Sequence, residues 1–228
     1  MSAPPPDACS VVELRRYRLH AGRRDELVTL FERELIAPQA ALGMRVIGPF
    51  TDLDEPDHFV WLRGFAGMAS RDRGLRAFYL GPVWAQHRTA ANATMADSDD
   101  VLLLRPAWTT SACSHVGAGA VLATTWLLPE RPSDRTVGAL RQAAASAVRA
   151  ADGHPLAVLT TEPSANSFPE LPVREGEHAV VLLAAFGDLD ALEAGRAALG
   201  GPPVRDTLGA ASAHHARLRP TAGSLERR

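Results

Sequence analysis

Phe59-Val-Trp-Leu-Arg-Gly-Phe65 returns, 121 residues further on, as Val180-Val-Leu-Leu-Ala-Ala-Phe186. Pro82-Val83 and Pro203-Val204 stand at the same offset. One spacing that serves both a strand-like run and a helix start points to a duplicated unit. Each half also closes on a similar tripeptide, Leu104-Arg105-Pro106 in one and Leu218-Arg219-Pro220 in the other.

Working outward from that repeat, the first copy reads as strand, helix, strand, strand, helix, strand. Val11 to Leu19 is rich in Val, Leu and Tyr, as strands are. Gly22 to Ile36 has helical periodicity at Leu27, Leu30, Phe31 and Leu35, and Pro38 is expected to follow its end. Met44 to Phe50 and Phe59 to Phe65 are strands joined by the polar turn Thr51 to His58. Ser70 is a candidate N-cap for a helix to about Tyr79, and Pro82 begins another that reaches about Met95. Val101 to Arg105 is the fourth strand. The second copy repeats the order with strands Val121–Leu128, Leu156–Thr161, His178–Phe186 and Ala216–Arg219. Its helices are an alanine-rich one capped by Ser133 and another over Leu189–Leu199. A polar loop, Pro163 to Glu177, separates its second and third strands.

The βαββαβ order is the ferredoxin-like arrangement, a four-stranded antiparallel sheet with helices on one face. Two such sheets can bury their open faces against each other. The fold class is therefore α+β, with tandem ferredoxin-like repeats pairing within the chain as a dimeric α+β barrel. Residues 10–107 are expected to form the repeat that carries a site, and residues 120–220 a degenerate second repeat. Residues 107 to 119 are read as the linker.

Strand side chains alternate between faces. Arg15 and Tyr17 share one face of the first strand with Glu13, and Trp61 and Arg63 share one face of the third. Those strands are neighbours in this fold, so Arg15, Tyr17, Trp61 and Arg63 are expected to form one cluster. In the second copy they become Thr124, Trp126, Leu182 and Ala184. The helix after Pro82 loses its polar residues in the same way: Trp84, His87, Arg88 and Asn92 fall opposite Arg205, Leu208, Gly209 and Ala213. Trp84, Arg88, Ala91 and Met95 read as one helix face, with His87 and Asn92 on its edges. Polar groups near a core cost about 1–3 kcal/mol each unless partnered. The apolar second copy shows that the fold can be completed without them, which is the argument for a small-molecule pocket in the first. Its competitor is a purely structural cluster, in which Arg88 pairs with Glu13 or an aspartate.

Composition narrows the function classes. The 228 residues are 46% hydrophobic with a net charge of −2, which supplies no basic field for nucleic acid or an anionic membrane. No apolar stretch approaches the roughly 20 residues that span a bilayer. Met1 to Ser10 lacks the basic and apolar segments of a secretion signal, so a cytoplasmic location is expected. Cys9 and Cys113 form no CxxC and are read as reduced thiols. All 24 basic residues are arginine, which argues against Schiff-base, pyridoxal phosphate and Walker-type chemistry, each of which needs a lysine. The Asp52–Asp57 turn lacks the spacing and glycine of an EF-hand loop. His214 and His215 are adjacent in an extended segment and point oppositely, so they are poor co-ligands for one metal. No HExxH, GxSxG or GxGxxG is present.

The chain resembles a bacterial member of the NIPSNAP family over residues 10 to 107. The resemblance rests on Glu13-Leu14-Arg15-Arg16-Tyr17 with Gly22-Arg23, on Phe59-Val-Trp-Leu-Arg63, on Trp84 through Arg88, and on Val101-Leu-Leu-Leu-Arg-Pro106. It implies a dimeric α+β barrel and no defined activity. Animal members of the family are linked to mitochondria and vesicle traffic. The wider superfamily includes cofactor-independent monooxygenases of antibiotic biosynthesis and haem-degrading enzymes. These hold ligands between sheet and helices, often near a histidine, tryptophan or asparagine, and by residue type His87, Trp61 and Asn92 invite that comparison.

Three functions follow as expectations. The first is a metal-free enzyme that binds and converts a small organic metabolite in bacterial secondary metabolism. Arg15 and Arg63 would hold a carboxylate or enolate, Tyr17, Trp61 and Trp84 would line the pocket with Arg88 and Asn92, and His87 would move a proton. Such an enzyme would need no cofactor. The second is a haem-binding protein with His87 as axial ligand. The third is a non-catalytic binding or scaffold module. A small molecule is the expected partner, and an outer helix face or a sheet edge is left to carry a homodimer.

Overall fold

The computed structural model of the protein describes residues 9–109, 119–209 and 211–225. Four strands build the first half: β1 (Val11–Leu19), β2 (Arg45–Asp52), β3 (His58–Phe65) and β4 (Met95–Thr109). Four more build the second: β5 (Ala120–Leu128), β6 (His154–Thr161), β7 (His178–Phe186) and β8 (Ser212–Pro220). All are joined antiparallel in one closed barrel of order β1-β3-β2-β8-β5-β7-β6-β4. Each half contributes the same internal order, its first strand flanked by its third and fourth. Two seams close the ring. Phe50, Thr51 and Asp52 pair with Pro220, Arg219 and Leu218, and β4 pairs with β6 from Leu104–Thr161 to Thr109–Ala157. The tandem ferredoxin-like barrel is thus the observed architecture. Closure corrects one expectation: among the described residues no strand of the barrel offers an unpaired sheet edge to a second copy.

The ladders prove the register of the repeat. In β1 and β3, Glu13 stands opposite Arg63 and Arg15 opposite Trp61. In β5 and β7, Leu122 stands opposite Ala184 and Thr124 opposite Leu182. Residues 109 apart on the first strands and 121 apart on the third occupy equivalent places. The twelve additional residues of the second half lie between β6 and β7.

Strand alternation sorts the side chains into three apolar layers. Val12 and Leu14 of β1 meet Val60, Leu62, Val121, Ala123, Val181 and Leu218 inside the barrel. Tyr17, Phe59, Trp61 and Phe65 point outward to the helices of the first half, where Leu27, Phe31, Leu35, Leu75 and Phe78 cover them. The second half has its own outer layer, in which Leu122, Trp126, Leu182 and Phe186 meet Leu140, Val148 and Leu192. Among the described residues no helix is long and apolar enough to cross a membrane.

Several boundaries differ from the sequence reading. The first helical stretch does not stop before Pro38. It runs as α1 (Arg24–Leu30), a π-helical turn (Phe31–Leu35) and α2 (Ile36–Ala41). Proline removes the N–H that an α-helix would offer to the carbonyl four residues back, here that of Glu34. Glu34 lies in the wide π turn, so the interruption is absorbed there and the chain continues helical. Next come α3 (Met68–Tyr79) and α4 (Pro82–Asn92). Ser70 is the third residue of α3 rather than its cap; its Oγ accepts from the Gly67 N–H at 2.9 Å. β4 begins six residues before the expected strand and ends four after it, taking in Trp108. The second half carries α5 (Asp134–Ala150), capped by Ser133 as expected, then α6 (Leu189–Leu199), α7 (Pro202–Leu208) and a final short α8 (Ala222–Leu225). Residues 110–118 of the expected linker, with Cys113, lie outside the described residues.

Candidate functional site

Glu13 is the centre of the outward face of β1. It is fully buried and three guanidiniums close on its carboxylate. Arg63, directly across on β3, donates to Oε2 through Nε at 3.0 Å and Nη2 at 2.7 Å. Arg15, two residues along β1, donates to the same oxygen through Nη1 at 3.0 Å. Arg71 of α3 donates to Oε1 through Nε at 2.8 Å. Burial alone would push the Glu13 carboxyl up, but Arg63, Arg15 and Arg71 outweigh it and hold its pKa at about 2.

A second ring of contacts fixes the guanidiniums. Arg15 Nε donates to the Tyr17 hydroxyl at 2.9 Å. Arg63 Nη1 donates to Gln39 Oε1 at 3.0 Å and to the Tyr79 hydroxyl at 3.4 Å. Gln39 is itself anchored, its Nε2 donating to the Leu35 carbonyl at 2.9 Å. Arg71 Nη1 donates to Asn166 Oδ1 at 2.9 Å and Ser167 Oγ at 3.0 Å. Aromatic faces complete the shell. The Arg63 guanidinium lies 5.0 Å from the Trp61 ring and that of Arg15 lies 5.7 Å from it. Tyr17 meets Trp61 edge-on at 6.1 Å, and burial pushes the Tyr17 hydroxyl's pKa up against the pull of Arg15.

Two features of this cluster are unbalanced. Three guanidiniums surround one carboxylate, which leaves two positive charges in excess inside a packed layer. The Trp61 indole N–H is buried and has no acceptor among the described residues. Both deficits have the same sign: the cluster is short of acceptors.

Of the residues singled out in the sequence, Arg15, Tyr17, Trp61 and Arg63 come together here. Trp84 reaches them indirectly, packing edge-on against Tyr79 at 5.1 Å, whose hydroxyl touches Arg63. His87 is half-buried, with Nε2 3.7 Å from the Glu34 carboxylate. The inner face of α4 is set by Trp84, His87 and Ala91 rather than by Trp84, Arg88, Ala91 and Met95. Arg88 and Asn92 are exposed, because α4 ends at Asn92 and is rotated to bring His87, not Arg88, inward. His214 and His215 part as expected, one against Arg16 at 3.2 Å and the other against Thr124 at 3.0 Å. The His87 nitrogen that would ligate a haem iron faces a carboxylate, so its surroundings do not fit an axial ligand. Among the described residues no three His, Cys, Asp or Glu side chains converge as a metal site.

Glu13 as the hub, Arg71 and Gln39 escaped the sequence reading. The repeat could have found them. At the strand and helix offsets established above, Glu13, Gln39 and Arg71 correspond to Leu122, Val148 and Leu192, all buried and apolar. Every charged or amide residue that the first half contributes to the network has a counterpart in the second half with neither a charge nor an amide.

The cluster is packed shut in this conformation, while larger hollows lie elsewhere. One of about 830 Å³ lies between β4, β6, the start of α5 and the chain from Thr160 to Ala179. Another, of about 360 Å³, opens at the barrel mouth beside Arg16, Asp100, Arg174 and His214.

Comparison with known proteins agrees with the architecture. The NIPSNAP family model matches residues 12–109. No curated protein matches the chain. A solved structure of a candidate monooxygenase from Lactobacillus acidophilus NCFM is similar over 93% of this chain and 94% of its own, with TM-score 0.58 and 11% identity. An anthrone oxidase-like protein is similar over 95% of this chain and 93% of its own, with TM-score 0.53 and 13% identity. A NIPSNAP family protein from Agrobacterium tumefaciens str. C58 aligns with 42% of this chain and 91% of its own, at 26% identity and TM-score 0.39. The two full-length likenesses establish the fold that this chain shares with those proteins.

Proposed function

We propose, from the premise that residues 12–109 are a NIPSNAP domain, that this domain binds a small aromatic organic anion at the Glu13 cluster. On this reading residues 10–107 are the site-bearing repeat and residues 120–220 its degenerate partner. The observation that carries the proposal is the acceptor deficit: three buried guanidiniums share one carboxylate beside an unsatisfied indole N–H. A buried excess of positive charge is costly unless compensated. A carboxylate or enolate oxygen that accepts from Arg15 and from the Trp61 N–H would relieve both deficits, and guanidinium matches such groups well. Tyr17, Trp61, Tyr79 and Trp84 provide the aromatic faces for the rest of the ligand.

Conversion of that ligand without a metal is the further step in this reading. His87, with Glu34 beside it, is assigned as the proton carrier, one helical turn beyond Trp84. The barrel shared with a candidate monooxygenase and an anthrone oxidase-like protein supports substrates of the enolisable aromatic kind. The test is a thermal-shift panel of aromatic carboxylates and enolisable phenolic ketones against the full chain. A ligand at one hundred times its dissociation constant stabilises by about 2.7 kcal/mol, which at this size is a rise of about 5–10 °C in Tm. Arg15→Met should weaken a binder by about tenfold or more, the worth of one charged hydrogen bond. His87→Ala should leave its affinity intact and abolish turnover. A panel without a shift contradicts the proposal.

A further inference from the structure

The extra length of the second half is concentrated in one connection, residues 162–177 between β6 and β7. Its middle packs on the other half. Phe168 is 2% exposed and lies in the outer layer of the first half, among Tyr17, Trp61 and Phe78. Its ring stacks on Tyr79 with centroids 6.0 Å apart, and the Arg76 guanidinium lies 5.4 Å from the Phe168 ring centroid. Asn166 and Ser167 accept from Arg71, the guanidinium that holds Glu13 Oε1. Both ends of the segment are fastened to β4: the Glu162 N–H donates to the Leu103 carbonyl at 2.9 Å and the Arg174 N–H to the Val101 carbonyl at 2.8 Å. Between those anchors no helix or strand forms.

Something must move for any ligand to reach a cluster whose Glu13, Arg63 and Arg71 are wholly buried. β1 and β3 are held on both sides in a closed barrel, and α3 and α4 are packed helices. Among the described residues that touch the cluster, Asn166, Ser167 and Phe168 of this strap belong to no helix or strand, and segments with few regular hydrogen bonds open at the lowest free-energy cost. We infer that residues 162–177, supplied by the second repeat, form the gate of the site in the first. Phe168 is the door against Tyr79, and Asn166 and Ser167 are positioning residues that hold Arg71 on Glu13 while it is shut. The second repeat thus has a role beyond closing the barrel. This inference rests on the anion site of the preceding subsection.

The test uses the full chain and two readouts. The first needs no ligand: exchange of the Trp61 indole N–H with D2O, followed by NMR, with the Trp126 indole in the second half as internal reference. Phe168→Ala should accelerate Trp61 by about tenfold or more and leave Trp126 unchanged, the signature of local opening. Phe168→Leu should restore slow exchange. Asn166→Ala, which keeps the packed ring, should also accelerate Trp61. The second readout is stopped-flow binding of 2-naphthoate, whose association and dissociation should both quicken in Phe168→Ala by about tenfold. Equal acceleration of both indoles, or none, overturns the gate. Binding of 2-naphthoate at unchanged rates also overturns it and leaves the anion site standing. Selective Trp61 acceleration in a protein that binds no 2-naphthoate supports the gate and counts against the anion reading.

Discussion

Glu13→Gln should be the most damaging single substitution in the first half. It keeps shape and removes the one negative charge that Arg15, Arg63 and Arg71 share. Removing one partner of a buried ion cluster costs about 3–5 kcal/mol, because the remaining charges stay buried and unpaired. At this chain length that is a fall in Tm on the order of 10 °C. The pH dependence sharpens the test. The folded carboxyl has its pKa held at about 2, below its ordinary value of 4.5. A depressed pKa stabilises the fold above the unfolded value and loses that contribution as pH falls through the folded one. The shift corresponds to about 3 kcal/mol. The deficit of Glu13→Gln should therefore be full above about pH 5 and shrink by about 3 kcal/mol toward pH 2. Denaturant melts of both proteins across that range measure it, and a deficit that does not change with pH contradicts the assignment of Glu13 as the hub.

Replacing the whole network should have the opposite effect on stability. The second half already shows the result in nature's hands, with Leu122, Thr124, Val148, Ala184 and Leu192 buried where Glu13, Arg15, Gln39, Arg63 and Arg71 stand. Simple transplantation would leave voids where arginines become Thr or Ala, so volume must be kept. The variant carrying Glu13→Leu, Arg15→Met, Tyr17→Phe, Gln39→Met, Arg63→Met and Arg71→Met together keeps it. Apolar replacement of a complete buried ion cluster is often neutral or stabilising by about 1–4 kcal/mol. This variant should therefore fold with a Tm equal to or above that of the parent, while Glu13→Gln alone lowers it. Calorimetric melts decide the matter. A large loss of Tm in the combined variant would show that the guanidiniums and their aromatic faces are kept for folding, through cation–π and hydrogen-bond energy, rather than for a ligand.

The duplication makes most of the architecture legible in the sequence. Strand order, barrel pairing and the meeting of Arg15, Tyr17, Trp61 and Arg63 follow from period-two alternation on two neighbouring strands. Helix boundaries are less legible, and the reason is local. Pro38 looks like a stop, yet the π turn at Phe31–Leu35 absorbs it. A stop there excludes Gln39, which enters the site because the helix continues to Ala41. Arg88 illustrates a phase error: on α4 the positions three and four residues after Trp84 both qualify as inward by spacing, and packing chose His87. Arg71 and Phe168 were beyond any local pattern. Arg71 sits on a helix whose surface also carries Arg73 and Arg76, and only the comparison with Leu192 sets it apart. Phe168 belongs to a polar loop, and its burial depends on a chain crossing from one half to the other.

That crossing also bears on why the two halves remain in one chain. A strap that must lie on its neighbour's Arg71 and Tyr79 needs a fixed partner, and covalent linkage within a closed barrel supplies one at high effective concentration. The second repeat is free to lose polar residues so long as its barrel face and its strap are kept.

The most direct test of the acceptor-deficient cluster is a titration of 2-naphthoate and of neutral 2-naphthamide into the parent protein and the six-substitution apolar variant. The account predicts binding of the carboxylate by the parent, at least about tenfold weaker binding of the amide, and no binding of either by the folded variant. Equal affinities for carboxylate and amide, or carboxylate binding retained by the apolar variant, would contradict it.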